Sequence, residues 1–157
     1  MQVTQAASSI GERFFALHHA RLAGAADACM DRRAWSPFPD QPTGYPDQER
    51  ARTVAESAWR GRLGQTMEFG HPCGPLWLGE EVSPYDQQPL GIRYREADLD
   101  NQFAAARAGI ADWSRASPKS RVGVLLEVTE RLYRERLFEI VQAVMHTTGQ
   151  SFGMAYA

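Results

Sequence analysis

Most of what would send a chain of this length toward a specialised class is scarce here. There are two cysteines, Cys29 and Cys73, and one lysine, Lys119, beside 16 arginines. Two cysteines in 157 residues cannot build a disulfide framework, and a reducing compartment is the better expectation. No apolar run approaches the roughly 18 residues that a membrane helix needs. The opening "MQVTQAASSIGERFF" has no basic start followed by an apolar stretch, so no signal peptide and no membrane are expected, and a cytoplasmic location is. Charge of one sign is also lacking. The net charge is −2 with both signs mixed along the chain, which removes the electrostatic case for nucleic acid. The preference for arginine over lysine suits bidentate carboxylate recognition, but codon usage explains it as well. There is no internal repeat and no low-complexity tract.

What is present reads as one ordinary globular chain, 43% hydrophobic and 23% charged, long enough for a real core. Ser9 with Glu12 makes a capping-box pattern, and Phe14, Phe15, Leu17, Leu22 and Met30 follow at helical spacing, which predicts a helix ending near Arg33. Gly11 and Gly24 weaken it. Four prolines between Pro37 and Pro46 exclude a helix there. The aromatics Trp35, Phe38 and Tyr45 make that loop a cover for apolar surface, or less simply a platform for a planar ligand. Asp47 caps a second helix, to about Arg60 with Gly61 as its stop. Residues 61–76 read as irregular. Leu76–Val82 and Leu90–Tyr94 flank "SPYDQQP" as a β-hairpin with a long turn.

Asp98 caps the next helix, whose stripe Leu99, Phe103, Ala106, Ile110 and Trp113 forms one face to be buried. Ser117 caps another, with Pro118 at its first position and Trp113 plugging the corner. Val122, Leu125, Leu126, Thr129, Leu132 and Tyr133 form its buried stripe. A break is expected near Arg134, then a second stripe of Leu137, Ile140, Val141, Val144 and Met145, a Gly149 cap, and a short helix from "SFGMAYA".

In that order, "VSPYDQQPLGIRY", "ADLDNQFAAARAGIADWSRAS" and "PKSRVGVLLEVTERLYRERLFEIVQAVMHTTGQ" resemble the N-terminal part of the aldehyde dehydrogenase superfamily over residues 78–157. Trp113, Arg121, Leu125, Leu132, Thr148 and Gly149 occupy its positions, and Gln150 stands where the family often has Lys. With "WSPFPDQP" and "VMHTTGQSFGMAY", the chain resembles the phenylacetic acid degradation branch. The resemblance implies a mainly α chain with one β-hairpin, an N-terminal fragment of the α/β aldehyde dehydrogenase fold. Residues 1–75 are then a helical extension and 76–157 the start of the dehydrogenase domain. It implies a parent enzyme that oxidises a CoA-linked ring-opened semialdehyde with NAD or NADP by way of a cysteine thiolate. Its partners are the remainder of its own chain and further copies in a homo-oligomer.

None of the family's catalytic, cofactor-binding or metal-binding residues can be carried onto these positions. "GHPCGP" lacks the strand before and helix after that a phosphate cradle needs. The rival reading is a stand-alone helical interaction module; a weaker third is a metal-binding regulator using His71 and Cys73. Those two residues supply two ligands where structural zinc wants four, and Cys73 beside His71 is a poor nucleophile candidate. His18 and His19 are adjacent and point apart. Cys29 reads as a buried helix residue, His146 as a packing or capping group, and Arg121 as an ion-pair partner of Asp112. Glu80 and Glu81 fall on opposite faces of a strand and make no catalytic pair.

Overall fold

The computed structural model describes residues 2–68, 70 and 73–156, with side chains of the first helix from Ile10 onward. In chain order the elements are α1 (Gln2–Met30), a 3₁₀ turn (Pro42–Gly44), α2 (Gln48–Arg62), β1 (Thr66–Met67), β2 (Cys73–Leu78), β3 (Arg93–Ala97), α3 (Leu99–Arg115), α4 (Pro118–Arg131), a π turn (Leu132–Arg136), α5 (Leu137–Thr148) and α6 (Phe152–Tyr156). The fold is therefore mainly α with a small sheet, as expected. The chain divides into two compact units, Met1–Phe38 with Ala105–Glu135, and Pro39–Ala104 with Arg136–Ala157.

In the first unit α1 packs along α4. The contact is made by small residues. A Cβ on Gly123 would lie 1.9 Å from the carbonyl oxygen of Gly11, and one on Gly11 would lie 2.5 Å from that of Ser120. Ala28, Ser120 and Gly123 are buried, while Leu17, Leu22, Met30, Leu125 and Leu132 are exposed. Those five residues of the expected stripes thus point away, while Phe14, Phe15, Val122, Leu126 and Tyr133 are half-buried, and the glycine that weakens α1 as an isolated helix is what lets the backbones meet. The helix also begins earlier than the Ser9 pattern predicts, so Ser9 lies within it. Its side chain is outside the described residues. Glu12 instead accepts a hydrogen bond at 3.0 Å from Ser117, whose Oγ caps α4 by accepting the Ser120 N–H at 3.1 Å.

Polar pairs tie the same two helices together. His18 Nε2 lies 2.6 Å from Glu127 Oε2, and Arg131 donates to the other oxygen of that carboxylate, also at 2.6 Å. Glu130, 8% exposed, takes both Arg21 and Arg134. The Arg21 guanidinium lies 4.5 Å from the Phe38 ring, which itself stacks on Tyr133 at 4.0 Å.

The second unit holds the sheet, in the order β1-β3-β2. The expected hairpin is β2 antiparallel to β3, with an irregular register between Cys73 and Trp77 and an isolated bridge from Val82 to Pro89. The segment read as irregular adds a strand, β1, parallel to β3. It is two residues long, too short for any alternation, and is pinned by Gly64 N–H to Leu90 O and Arg93 N–H to Gln65 O. Trp59, Leu90 and Ile92 form the core there, with Met67 and Ala143 against them. Helix α2 runs through Gly61 to Arg62, and Asp47 precedes it in a left-handed conformation (φ 54°) with no side-chain cap bond. Gly149 ends α5 at φ 77°, its N–H donating to Met145 O, and α6 follows as expected.

Helix α3 begins as its sequence predicts, with Asn101 N–H donating to Asp98 Oδ1 at 3.1 Å. That bond, with the Asn101 carboxamide, holds the Asp98 carboxyl below its ordinary range. Its apolar stripe is not buried: Phe103 and Ile110 are each 61% exposed and Trp113 is 45% exposed. Trp113 does not plug the corner. Trp113→Ala should therefore cost less than about 1 kcal/mol in this chain, rather than the roughly 3–5 kcal/mol of a buried aromatic. A urea unfolding curve shifted by the larger amount would place the indole in a packed site.

Candidate functional site

Two helix faces of the second unit meet over a cleft of about 260 Å³. Helix α2 supplies Arg52, Glu56 and Trp59, spaced i, i+4, i+7, and α5 supplies Gln142, Met145 and His146, spaced i, i+3, i+4, so each set shares one face. Tyr85 and Asp86 close it from the turn between β2 and β3. The His146 ring stacks on Trp59 at 5.0 Å and meets the edge of Tyr85 at 5.4 Å. This is the packing role expected of His146.

Ser83 is fully buried below that turn. Its Oγ accepts the N–H groups of Tyr85 and Asp86 at 3.2 and 3.4 Å and lies 3.0 Å from His146 Nδ1. Asp86 Oδ2 is 3.7 Å from the same nitrogen. The Gln88 N–H, first, and the Ser83 hydroxyl, second, hold the Asp86 carboxyl below its ordinary range. Serine, histidine and aspartate are thus together, but not as a relay. A catalytic triad needs the serine on one imidazole nitrogen and the carboxylate on the other. Here both face Nδ1, and the serine is sealed from solvent. The trio fixes the turn, as a serine side chain at a turn start commonly does.

The other candidates are scattered. Cys29 is exposed, not buried: on α1 the inward positions go to smaller residues. Cys73 sits half-buried at the start of β2 opposite Ala97, and His71 lies outside the described residues. No group of three metal-ligating side chains occurs among the described residues. His18 meets Glu127 and His19 meets the Ala16 carbonyl, on separate faces. Arg121 does not pair with Asp112, which holds Arg115 at 2.5 Å because a neighbour one turn away is closer than one across the corner. Glu80 and Glu81 follow β2 rather than lying on it, and Tyr94 donates its hydroxyl proton to Glu81. The loop aromatics are used as cover: Phe38 lies on Tyr133, and Tyr45 meets the edge of Phe138 at 4.7 Å. Sequence reading did not single out Arg52, Trp59 or Gln142. Their spacing was visible, but that α2 would face α5 was not. No described helix is long and apolar enough to cross a membrane.

No family model matches the chain, and no curated protein does. Among solved structures, the crystal structure of an NAD-dependent aldehyde dehydrogenase from Burkholderia multivorans matches with a TM-score of 0.78 at 39% sequence identity, over 91% of this chain. This chain spans 25% of that one. A match over 91% takes in most of residues 1–75 as well, so the likeness is not confined to the second half. In backbone and in sequence alike, this chain matches a segment of the aldehyde dehydrogenase fold.

Proposed function

We propose that these residues serve as the N-terminal segment of an NAD(P)-dependent aldehyde dehydrogenase, themselves holding neither cofactor nor nucleophile. The observation that carries this is the 39% identity to an NAD-dependent aldehyde dehydrogenase over nearly the whole chain. The exposed stripe of α3 supports it, since a row of Leu99, Phe103, Ile110 and Trp113 facing water is the surface of a helix made to be covered. The rest of the enzyme, and further copies in a homo-oligomer, are the partners. The finer reading rests on "WSPFPDQP" and "VMHTTGQSFGMAY": a dehydrogenase of phenylacetate breakdown, acting in the cytoplasm on a CoA-linked semialdehyde, with residues 1–75 as its extension and 76–157 opening its main domain.

Two measurements test it. An antibody against this chain should detect a native polypeptide roughly four times as long, given the 25% share of the related chain; a native product of 157 residues would favour the interaction module instead. The 157-residue chain should show no micromolar binding of NAD or NADP by titration calorimetry, because "GHPCGP" is not a glycine-rich strand–turn–helix. Tight binding of either nucleotide would contradict the assignment of the cofactor to other parts of the enzyme.

A further inference from the structure

We propose that a proton on His146 swings the tip of the turn between β2 and β3, so that closure of the α2–α5 cleft follows the charge of that imidazole. Ser83 Oγ, fully buried, has one proton to donate and two lone pairs that can accept. The N–H groups of Tyr85 and Asp86 take the lone pairs at 3.2 and 3.4 Å. His146 Nδ1 stands at 3.0 Å, so in this arrangement the hydroxyl donates to it. That requires a neutral imidazole with its own proton on Nε2. Every bonding capacity of the serine is then used.

A proton on Nδ1 breaks this arrangement. The nitrogen becomes a donor and faces an oxygen with no lone pair left. The acceptor beside it is Asp86 Oδ2, 3.7 Å away, while Oδ1 of that carboxylate is held by the Gln88 N–H at 3.1 Å. The displaced hydroxyl proton turns to the same carboxylate. At 3.7 Å Oδ2 is beyond hydrogen-bond reach, so Asp86 must close on the imidazolium. The bond that yields is the longest, from the Asp86 N–H to Ser83 at 3.4 Å. The base of the turn stays pinned by Ser83 N–H to Gln88 O and Gln87 N–H to Ser83 O, each 2.8 Å. Movement is therefore confined to Tyr85 and Asp86, the two turn residues that close the cleft. Other charges do not compete for the ring. From α2, Arg52, Glu56 and Arg60 line the same cleft, but Glu56 holds Arg60 at 2.6 Å, and α5 adds only the uncharged Gln142 and Met145. Among the described residues Asp86 is the carboxylate within 4.0 Å of an imidazole nitrogen of His146. The device lies wholly within the second unit and does not depend on the aldehyde dehydrogenase reading.

The test is an NMR titration of the ¹⁵N-labelled 157-residue chain from about pH 8 to about pH 5.5, where imidazoles change charge while carboxylates stay ionised. At the upper end the ring ¹⁵N shifts of His146 should identify the Nε2–H tautomer. On acidification the Tyr85 and Asp86 amides should shift along the His146 ring curve with a shared midpoint. The Asp86 amide should also exchange with solvent about tenfold faster than its intrinsic pH dependence allows. Asp86→Asn keeps an acceptor for the Gln88 N–H but loses the charge, and the side chain is 43% exposed, so the variant should fold like the parent. It should lose more than about half of the amide response, whereas Glu56→Gln should respond like the parent. An Nδ1–H tautomer at high pH, Tyr85 and Asp86 amides indifferent to the His146 titration, or an undiminished response in Asp86→Asn would overturn the proposal.

Discussion

Gly123→Ala should cost the chain about 3 kcal/mol and loosen α1 from α4, although alanine is the better helix former. The two effects have opposite signs, and magnitude decides between them. Alanine in a helix interior gains up to about 1 kcal/mol over glycine. The new methyl would stand 1.9 Å from the Gly11 carbonyl oxygen and 2.5 Å from the Phe15 amide nitrogen, both backbone atoms that no rotamer change can move. Overpacking of that kind costs about 1–3 kcal/mol and sometimes more, and here the helices themselves must separate. Gly61→Ala is the matched comparison. That glycine is also helical, and its added Cβ meets nothing within 4 Å, so it should stabilise by about 0.5–1 kcal/mol. Urea midpoints followed by circular dichroism would check both. Equal gains from the two substitutions would mean that α1 and α4 do not approach through these glycines.

Glu130→Ala should cost about 2 kcal/mol and remove part of the acid sensitivity of the first unit. Glu130 is a buried carboxylate between two arginines, of which Arg21 is largely covered and Arg134 mostly exposed. Removing a partner from a fully buried pair costs about 3–5 kcal/mol, and an exposed pair is worth under about 1 kcal/mol; this site lies between. Burial alone would raise the Glu130 carboxyl, but the hydrogen bonds from Arg21 and Arg134 outweigh it and hold it below its ordinary range. Glu127 is held low as well, first by His18 and then by Arg131. Both folded values lie below the unfolded ones. Their stabilisation is therefore complete above the ordinary carboxylate range and is lost as pH falls through the folded values. The parent chain should lose stability between neutral pH and about pH 3, and Glu130→Ala should lose less over the same interval. An unchanged pH slope in the variant would show that Glu130 is not one of the titrating groups.

Legibility differed by the range of the interaction. The Asp98 and Ser117 caps, Pro118 at the first helical position, the break before Leu137 and the Gly149 stop each depend on residues within one turn of one another, and all were readable. The hairpin was readable because its turn is rich in breakers. The α5 stripe turns inward at Val141 and Met145 as its periodicity predicts, whereas much of the α1, α3 and α4 stripes does not, for a physical reason. Periodicity shows that a helix has an apolar face, but not whether that face meets a partner. On α1 and α4 the closer approach came from glycine, alanine and serine, which hydropathy does not weight. The α3 stripe is amphipathic and uncovered. The cleft was invisible in sequence because its two halves lie some 80 residues apart, and neither half carries a motif.

The residues alone determined the mainly α class and most of the helix ends in the second half of the chain, and carried the resemblance to aldehyde dehydrogenases, since caps and breakers act locally along the chain. Only the tertiary structure decided which faces are inside, that Gly11 and Gly123 bring α1 to α4, and that Arg52, Trp59 and Gln142 share one cleft. Those are contacts between segments distant in sequence, and their geometry is set by how closely two backbones can approach.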